Sequence, residues 1–297
     1  SYLFARGIMP YAASTIIRQM ACQIVPSLQQ LRQEYMRALN GLSQNSLELL
    51  RQWPQQQQLH LDAEYVYFDR DESVSGHRFD INPAISVPMR NSWGYVTPKL
   101  GVRHTSYNLK DQTAGMPDSP DRTTSTFSLD SGMFFERLGA TSTSTMERRL
   151  FYLYTPKENQ DDLPIFDTTE YDFSFYNMFS ENRFAGSDRV SDANQLTLAL
   201  TSRTFSNDTG EESFRFSIGE IFYFEDREVQ MPGVGTIDDN SSALVGQVAM
   251  QLSHYWSAQA DLEWDPNRGD NKTAQSAIYL RYNDKQKTLF NVGYSYA

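Results

Sequence analysis

The sequence predicts an all-β protein: an up-and-down antiparallel barrel wall of the outer-membrane type, incomplete and open at about eleven strands, behind a short helical segment. Three observations carry this expectation. Segments of about ten residues alternate apolar and polar side chains along most of the chain. Their connections alternate short and long. The composition also joins few apolar residues to many rings: 39% hydrophobic and a mean hydropathy of −0.56, yet 17 Tyr and 18 Phe in 297 residues. A wall that is apolar on one side only, with aromatic girdles, has that composition. On composition alone an acidic, tyrosine-rich soluble sandwich is the alternative.

Residues 1–58 differ from the remainder. They hold five arginines (Arg6, Arg18, Arg32, Arg37, Arg51) against Glu34 and Glu48, a charge of +3 that leaves −14 of the overall −11 to the rest. Leu28, Leu31, Tyr35, Leu39 and Leu42 recur at helical spacing, with Ser27 after Pro26 as the N-cap. A second short helix is expected over Ser46 to Trp53, and the glutamines after Pro54 form a linker. This division gives a helical, Gln-rich segment at 1–58 and a barrel wall at 59–297.

From Leu59 the strands follow in order. Leu59, Leu61, Ala63, Tyr65 and Tyr67 share one face, with His60, Asp62 and Glu64 opposite. Phe79, Ile81, Ile85, Val87 and Met89 share a face of the next strand, against Asp80, Asn82, Ser86 and Arg90. Further strands are expected at 94–107, 122–137, 146–155, 194–205, 212–225, 243–255, 257–265, 272–283 and 287–296. In the sixth, Leu196, Leu198 and Leu200 face one way and Gln195, Thr197 and Ala199 the other. Two places strain the pattern. Glu220 falls in phase with Ile218 and Phe222, and Gly219 before it is a natural bulge site that would reset the phase. Pro83, Pro88 and Pro98 sit inside predicted strands, where each removes a ladder donor.

The connections at Arg90–Gly94, Leu138–Thr145, Ser206–Gly210, Tyr255–Ser257 and Asp284–Gln286 are short. Those at Asp69–Gly76, Asn108–Asp121, Lys157–Asp192, Asp226–Ser242 and Asp265–Asn271 are longer and more acidic. Outer-membrane barrels alternate in this way because periplasmic turns are tight and external loops large. A sandwich with Greek-key connections has no reason to.

Several function classes drop out. The net charge of −11 offers no basic footprint for nucleic acid. Cys22 is the single cysteine, so there is no intrachain disulfide framework. No apolar run reaches the roughly 18 residues of a transmembrane helix. His60 with Asp62, His104 beside Thr105 and Ser106, and His254 beside Tyr255 and Trp256 are the candidates for a barrel-borne hydrolase. None brings a nucleophile, a base and an orienting group together, so no catalytic residue is expected. Asp265, Asn267 and Asp270 place oxygen ligands closely but without the terminal Glu of an EF-hand, so a solvated loop is expected in place of calcium. No metal or cofactor-binding residue is expected.

Particular stretches carry a resemblance. Tyr152-Leu153-Tyr154 with Pro156, then Asp188-Arg189 with Ala193-Asn194-Gln195, then Ser217 to Phe224, look like the barrel domain of the LptD family. Ala84 to Pro88, Asn91 to Gly94 and Phe134 to Arg137 extend the likeness over about 59–297. The resemblance implies a Gram-negative outer-membrane protein that delivers lipopolysaccharide to the outer leaflet through a laterally opening barrel. It implies two partners, an LptE-like lipoprotein plug and an LptA-like periplasmic bridge. It also implies that the family's periplasmic jellyroll, its first and last barrel strands and its adjacent cysteine pair fall outside this sequence. No gating or substrate residue is carried over. The runners-up are a passive porin or other outer-membrane barrel, and a soluble β-rich binding protein.

Overall fold

The computed structural model describes residues 57–71, 73–112, 114–265, 273–284 and 287–296. Both expected helices, and most of the loop Asp265–Asn271, lie outside the described residues. The described chain forms one antiparallel sheet whose strands follow sequence order. They are β1 (Gln58–Phe68), β2 (Ser75–Ser86), β3 (Met89–Arg90), β4 (Gly94–Lys110), β5 (Asp121–Leu138) and β6 (Ser142–Thr155). After a long loop come β7 (Ala193–Ser206), β8 (Glu212–Tyr223), β9 (Leu244–Gln251), β10 (Trp256–Trp264), β11 (Thr273–Asn283) and β12 (Leu289–Tyr296). Among the described residues the sheet is open, with β1 at one edge and β12 at the other.

The eleven expected strands become twelve because one is cut in two. β2 and β3 pair with β4 in a single register (Ser86 opposite Lys99, Met89 opposite Val96), interrupted at Asn82 and Pro83 within β2 and at Val87 and Pro88 between the two strands. Pro88 has no N–H to give the ladder, and Val87 N donates to Pro98 O across the gap at 3.0 Å. Pro83 and Pro98 stay in register, opposite Leu61 and Leu129. β9 stops at Gln251, short of the expected 255, because Leu252 to Tyr255 form the turn into β10.

Alternation sorts the side chains onto two faces. Phe79, Leu150, Leu198, Ile218, Leu280 and Val292 lie on an outer face. Arg78, Asp80, Thr105, Arg122, Thr197 and Gln247 point to the opposite, inner face, where each is buried. Gly219 does not bulge: Leu198 to Leu200 oppose Glu220 to Ile218 without a break, and the register shift of this pair falls at Thr204 and Phe205. Glu220 therefore stays on the outer face. There it lines a groove of about 830 Å³ with Arg148, Leu150, Leu198 and Phe222.

Candidate functional site

The inner face is built by the loop 156–192, which folds back over it. Its first anchor is electrostatic. Arg78, 1% exposed, donates through one Nη to Asp188 Oδ1 at 2.7 Å and Asp167 Oδ1 at 2.6 Å. Its other Nη reaches Asp167 Oδ2 at 2.8 Å and Glu64 Oε2 at 2.9 Å. Asp188, fully buried, also accepts from Tyr107 Oη at 2.9 Å and from Phe166 N and Asp167 N at 2.7 and 3.0 Å. A buried carboxylate holds its charge only when it is paired and hydrogen-bonded in this way.

Beside it, Asp80 accepts from Arg103 Nε at 2.9 Å and Thr105 Oγ1 at 2.7 Å, and Arg103 Nη2 reaches Ser187 Oγ at 2.7 Å. Arg122 bonds only neutral oxygens: Gln160 Oε1 and Thr105 Oγ1, both at 2.7 Å, and the Ser187 and Asp188 carbonyls at 2.8 and 3.1 Å. Gly186 makes the turn into this cluster. Its φ of +72° suits glycine, and a Cβ there would sit 2.7 Å from Asp167 Oδ1. An apolar lining completes the anchor, with Tyr107, Leu109, Leu163 and Phe166 buried and Phe68 stacked on Phe166 at 4.2 Å between centroids.

The second anchor lies at the loop's one-turn 3₁₀ helix, Asn177–Phe179. Thr197 Oγ1 donates to Met178 O at 3.0 Å, and the Met178 side chain, 1% exposed, lies directly over Gly219. A Cβ at Gly219 would stand 2.9 Å from both Met178 Sδ and Cε. Gly219 is thus a seat for the loop. Phe179 packs edge-on against buried Phe151 and carries the Arg149 guanidinium 3.8 Å above its ring. Lys99 and Ser128 hold Glu181 at 2.8 Å each. At the loop's end Asp192 accepts from Glu228 N at 2.7 Å and Val229 N at 3.1 Å, tying down the next loop, 224–243.

Charge on the loop follows these contacts. The hydrogen bond from Arg78 holds the Asp167 carboxyl below the usual carboxylate range. Burial lowers the guanidinium pKa of Arg183 and Arg189. The Lys157 ammonium, paired with Glu228, is raised.

The histidines weighed for catalysis are scattered. His60 bonds Ser86 Oγ at 3.2 Å, not Asp62, while His104 bonds Thr123 Oγ1 at 2.8 Å on the outer face and His254 packs edge-on to Tyr255. Sequence reasoning missed the Arg78–Asp188 cluster. The available signal was the run of charged and hydroxyl residues at one end of the inner face (Arg78, Asp80, Arg103, Thr105, Arg122), which needs a partner of opposite character.

A sequentially wound antiparallel wall, apolar outside and lined inside by a polar network under its longest loop, defines a protein of the β-barrel-wall class. The chain belongs to the LptD family: that family's model, described as LPS transport system D, matches residues 49–297. It is 41% identical over 240 residues to the LPS-assembly protein LptD of Nitrosococcus oceani, covering 79% of this chain and 32% of that protein. The LptD of Hahella chejuensis is 36% identical over 250 residues (80% and 31%), and that of an Azoarcus species 39% over 244 (79% and 30%). The chain thus spans about a third of the length of these relatives.

Proposed function

We propose that the chain is a wall segment of an outer-membrane lipopolysaccharide-assembly protein, helping to deliver the glycolipid to the outer leaflet. The observation that carries this is the two-faced wall in a chain whose relatives are named LPS-assembly proteins. An amphiphile with a large sugar head needs a polar, hydrated route for the head and an apolar neighbour for its acyl chains. The inner face offers the first and the outer face the second. Neither demands covalent chemistry, so the reading includes no hydrolytic or transferase activity.

Three further parts belong to the same proposal. The wall sits in a Gram-negative outer membrane. An LptE-like lipoprotein occupies the barrel interior, and an LptA-like bridge supplies lipopolysaccharide from the periplasm. The division near residue 58 separates a helical segment from the wall. Depletion of the full-length protein should strip newly made lipopolysaccharide from the cell surface while small-solute uptake stays unchanged. Intact surface lipopolysaccharide with reduced uptake would replace this reading with that of a porin.

A further inference from the structure

The tip of the long loop does not rest on the wall. Phe173 to Tyr176 overhang the inner faces of β9, β10 and β11 and enclose a groove of about 420 Å³, within the roughly 300–1,000 Å³ of small-molecule sites. We propose that this groove binds a saccharide.

One side of it is a fixed stack of rings. Phe151, 4% exposed, meets Phe179 edge-on. Phe179 meets Phe175 at 6.0 Å, and Phe175 meets Tyr176 at 6.1 Å, again edge-on. The chain of rings begins in the buried core and ends at Tyr176, 66% exposed. A tight turn holds the end in place: Asn177 N and Met178 N both donate to Ser174 O at 3.1 Å, and Asn177 Nδ2 to Asp172 O at 2.9 Å. Such a ring presents a rigid face at low entropic cost.

The other side is polar and planar. Asp261 accepts from Gln247 Nε2 at 2.8 Å and from Gln259 Nε2 at 2.9 Å. Each amide that donates through its NH₂ keeps its carbonyl oxygen as an acceptor. Gln275 stands beside them on β11.

Elimination narrows the ligand. An acyl chain would desolvate Asp261 and the amides without replacing their hydrogen bonds. A phosphate would meet Asp261 and Glu263 on the wall, both of its own sign. A polyhydroxylated ring fits both walls. Its C–H face stacks on Tyr176, the ring that Phe175 supports edge-on, and its hydroxyls donate to Asp261 and to the amide oxygens. The site's existence stands on this geometry; that the sugar belongs to lipopolysaccharide rests on the transport reading.

The test uses the full-length protein in detergent and a dephosphorylated oligosaccharide cut from lipopolysaccharide, with binding followed by calorimetry. Tyr176→Ala and Gln259→Ala should each weaken binding at least fivefold, with unchanged far-ultraviolet circular dichroism. Tyr176→Trp should retain it. No binding by the parent protein, or equal binding by both alanine variants, overturns the proposal. The two readings fail separately. Loss of sugar binding in the variants supports the site even if depletion shows surface lipopolysaccharide to be independent of the protein.

Discussion

The sheet is one continuous ladder, but its two parts are stabilised differently. In the part formed by β2 to β8 the inner face is roofed by the loop 156–192, and Arg78, Thr105, Arg122, Leu153, Thr197 and Ser217 are all buried beneath it. In β10 to β12 no described residue is buried, and every residue of β12 is exposed. The alternation is the same in both. Hydrogen bonding between strands therefore sets the wall's geometry, while the loop supplies most of the buried contacts. The difference predicts a cooperative core under the loop and a β10–β12 region that depends on whatever adjoins its free edge.

The largest expected effect attacks that difference at its centre. Asp188→Ala takes one of three carboxylates from Arg78 and leaves Tyr107 Oη and the Phe166 and Asp167 N–H groups without their shared acceptor, at about 1–3 kcal/mol for each buried donor left unpaired. The loop should lift. Limited proteolysis should then cut within 157–187 in the variant and spare the parent, and the thermal midpoint should fall. Cleavage equal in the two proteins would mean that the loop does not hold the β2–β8 half together.

Next comes a change on which the two regions should agree. On the membrane reading, arginine at an outer-face position near the middle of the wall costs about 2–4 kcal/mol of insertion. Leu198→Arg, under the roofed half, and Val292→Arg, in the unroofed half, should both impair folding into lipid vesicles. Asn291→Arg, beside Arg281 on the inner face, should be tolerated. A penalty at Leu198 alone would show that the β12 edge does not meet lipid.

The seat of the loop gives a smaller effect. Gly219→Ala asks the flexible tip of Met178 to shift and brings a methyl to 3.1 Å from Leu198 O, whereas Gly219→Leu overfills the contact at about 1–3 kcal/mol. A cysteine introduced at Asn177 should label faster with a thiol reagent in the leucine variant than in the alanine variant or the parent. A cysteine at Ser257, away from the loop, should label equally in all three. Uniform labelling at Asn177 would remove Met178 as an anchor.

Much of this wall was legible in the chain. Leu196, Leu198 and Leu200 against Gln195, Thr197 and Ala199 gave β7 its place and both its faces, because a strand's period is two and one face is apolar. Connection lengths gave the order of the strands. The fate of the long loop was not legible. Its acids and rings follow no period, and their partners lie far away in sequence: Arg78 and Asp188 are 110 residues apart. For the same reason Gly219, expected to bulge, serves as the floor under Met178. A missing side chain says that something comes close, without saying whether it is a neighbouring strand or a returning loop. Asp188 and Arg189 did stand among the residues that carried the family likeness, but a likeness names positions and not contacts. The groove under Tyr176 lies beyond such reading too, since it joins a loop tip to β9, β10 and β11.

The smallest expected effect concerns pH, and it separates the two regions without any mutation. Asp167 is held ionised by the bidentate Arg78 contact, so its folded pKa lies below its unfolded one. A depressed carboxyl stabilises above its unfolded pKa, about 3.9. That contribution fades as pH falls through the folded value. The Asp167 side chain is 41% exposed, so solvent screens the pair and the effect is modest. Pepsin works in this range and cuts beside aromatic residues. The ratio of its cleavage near Phe175 to its cleavage near Tyr255 should rise as pH drops below about 4, because protonating Asp167 loosens the loop and leaves the β9–β10 turn as it was. Taking the ratio cancels the enzyme's own pH dependence. In Asp167→Asn the ratio should start higher and change less with pH. A flat ratio in the parent would show that Asp167 does not restrain the loop, leaving Asp188 to hold that anchor without it.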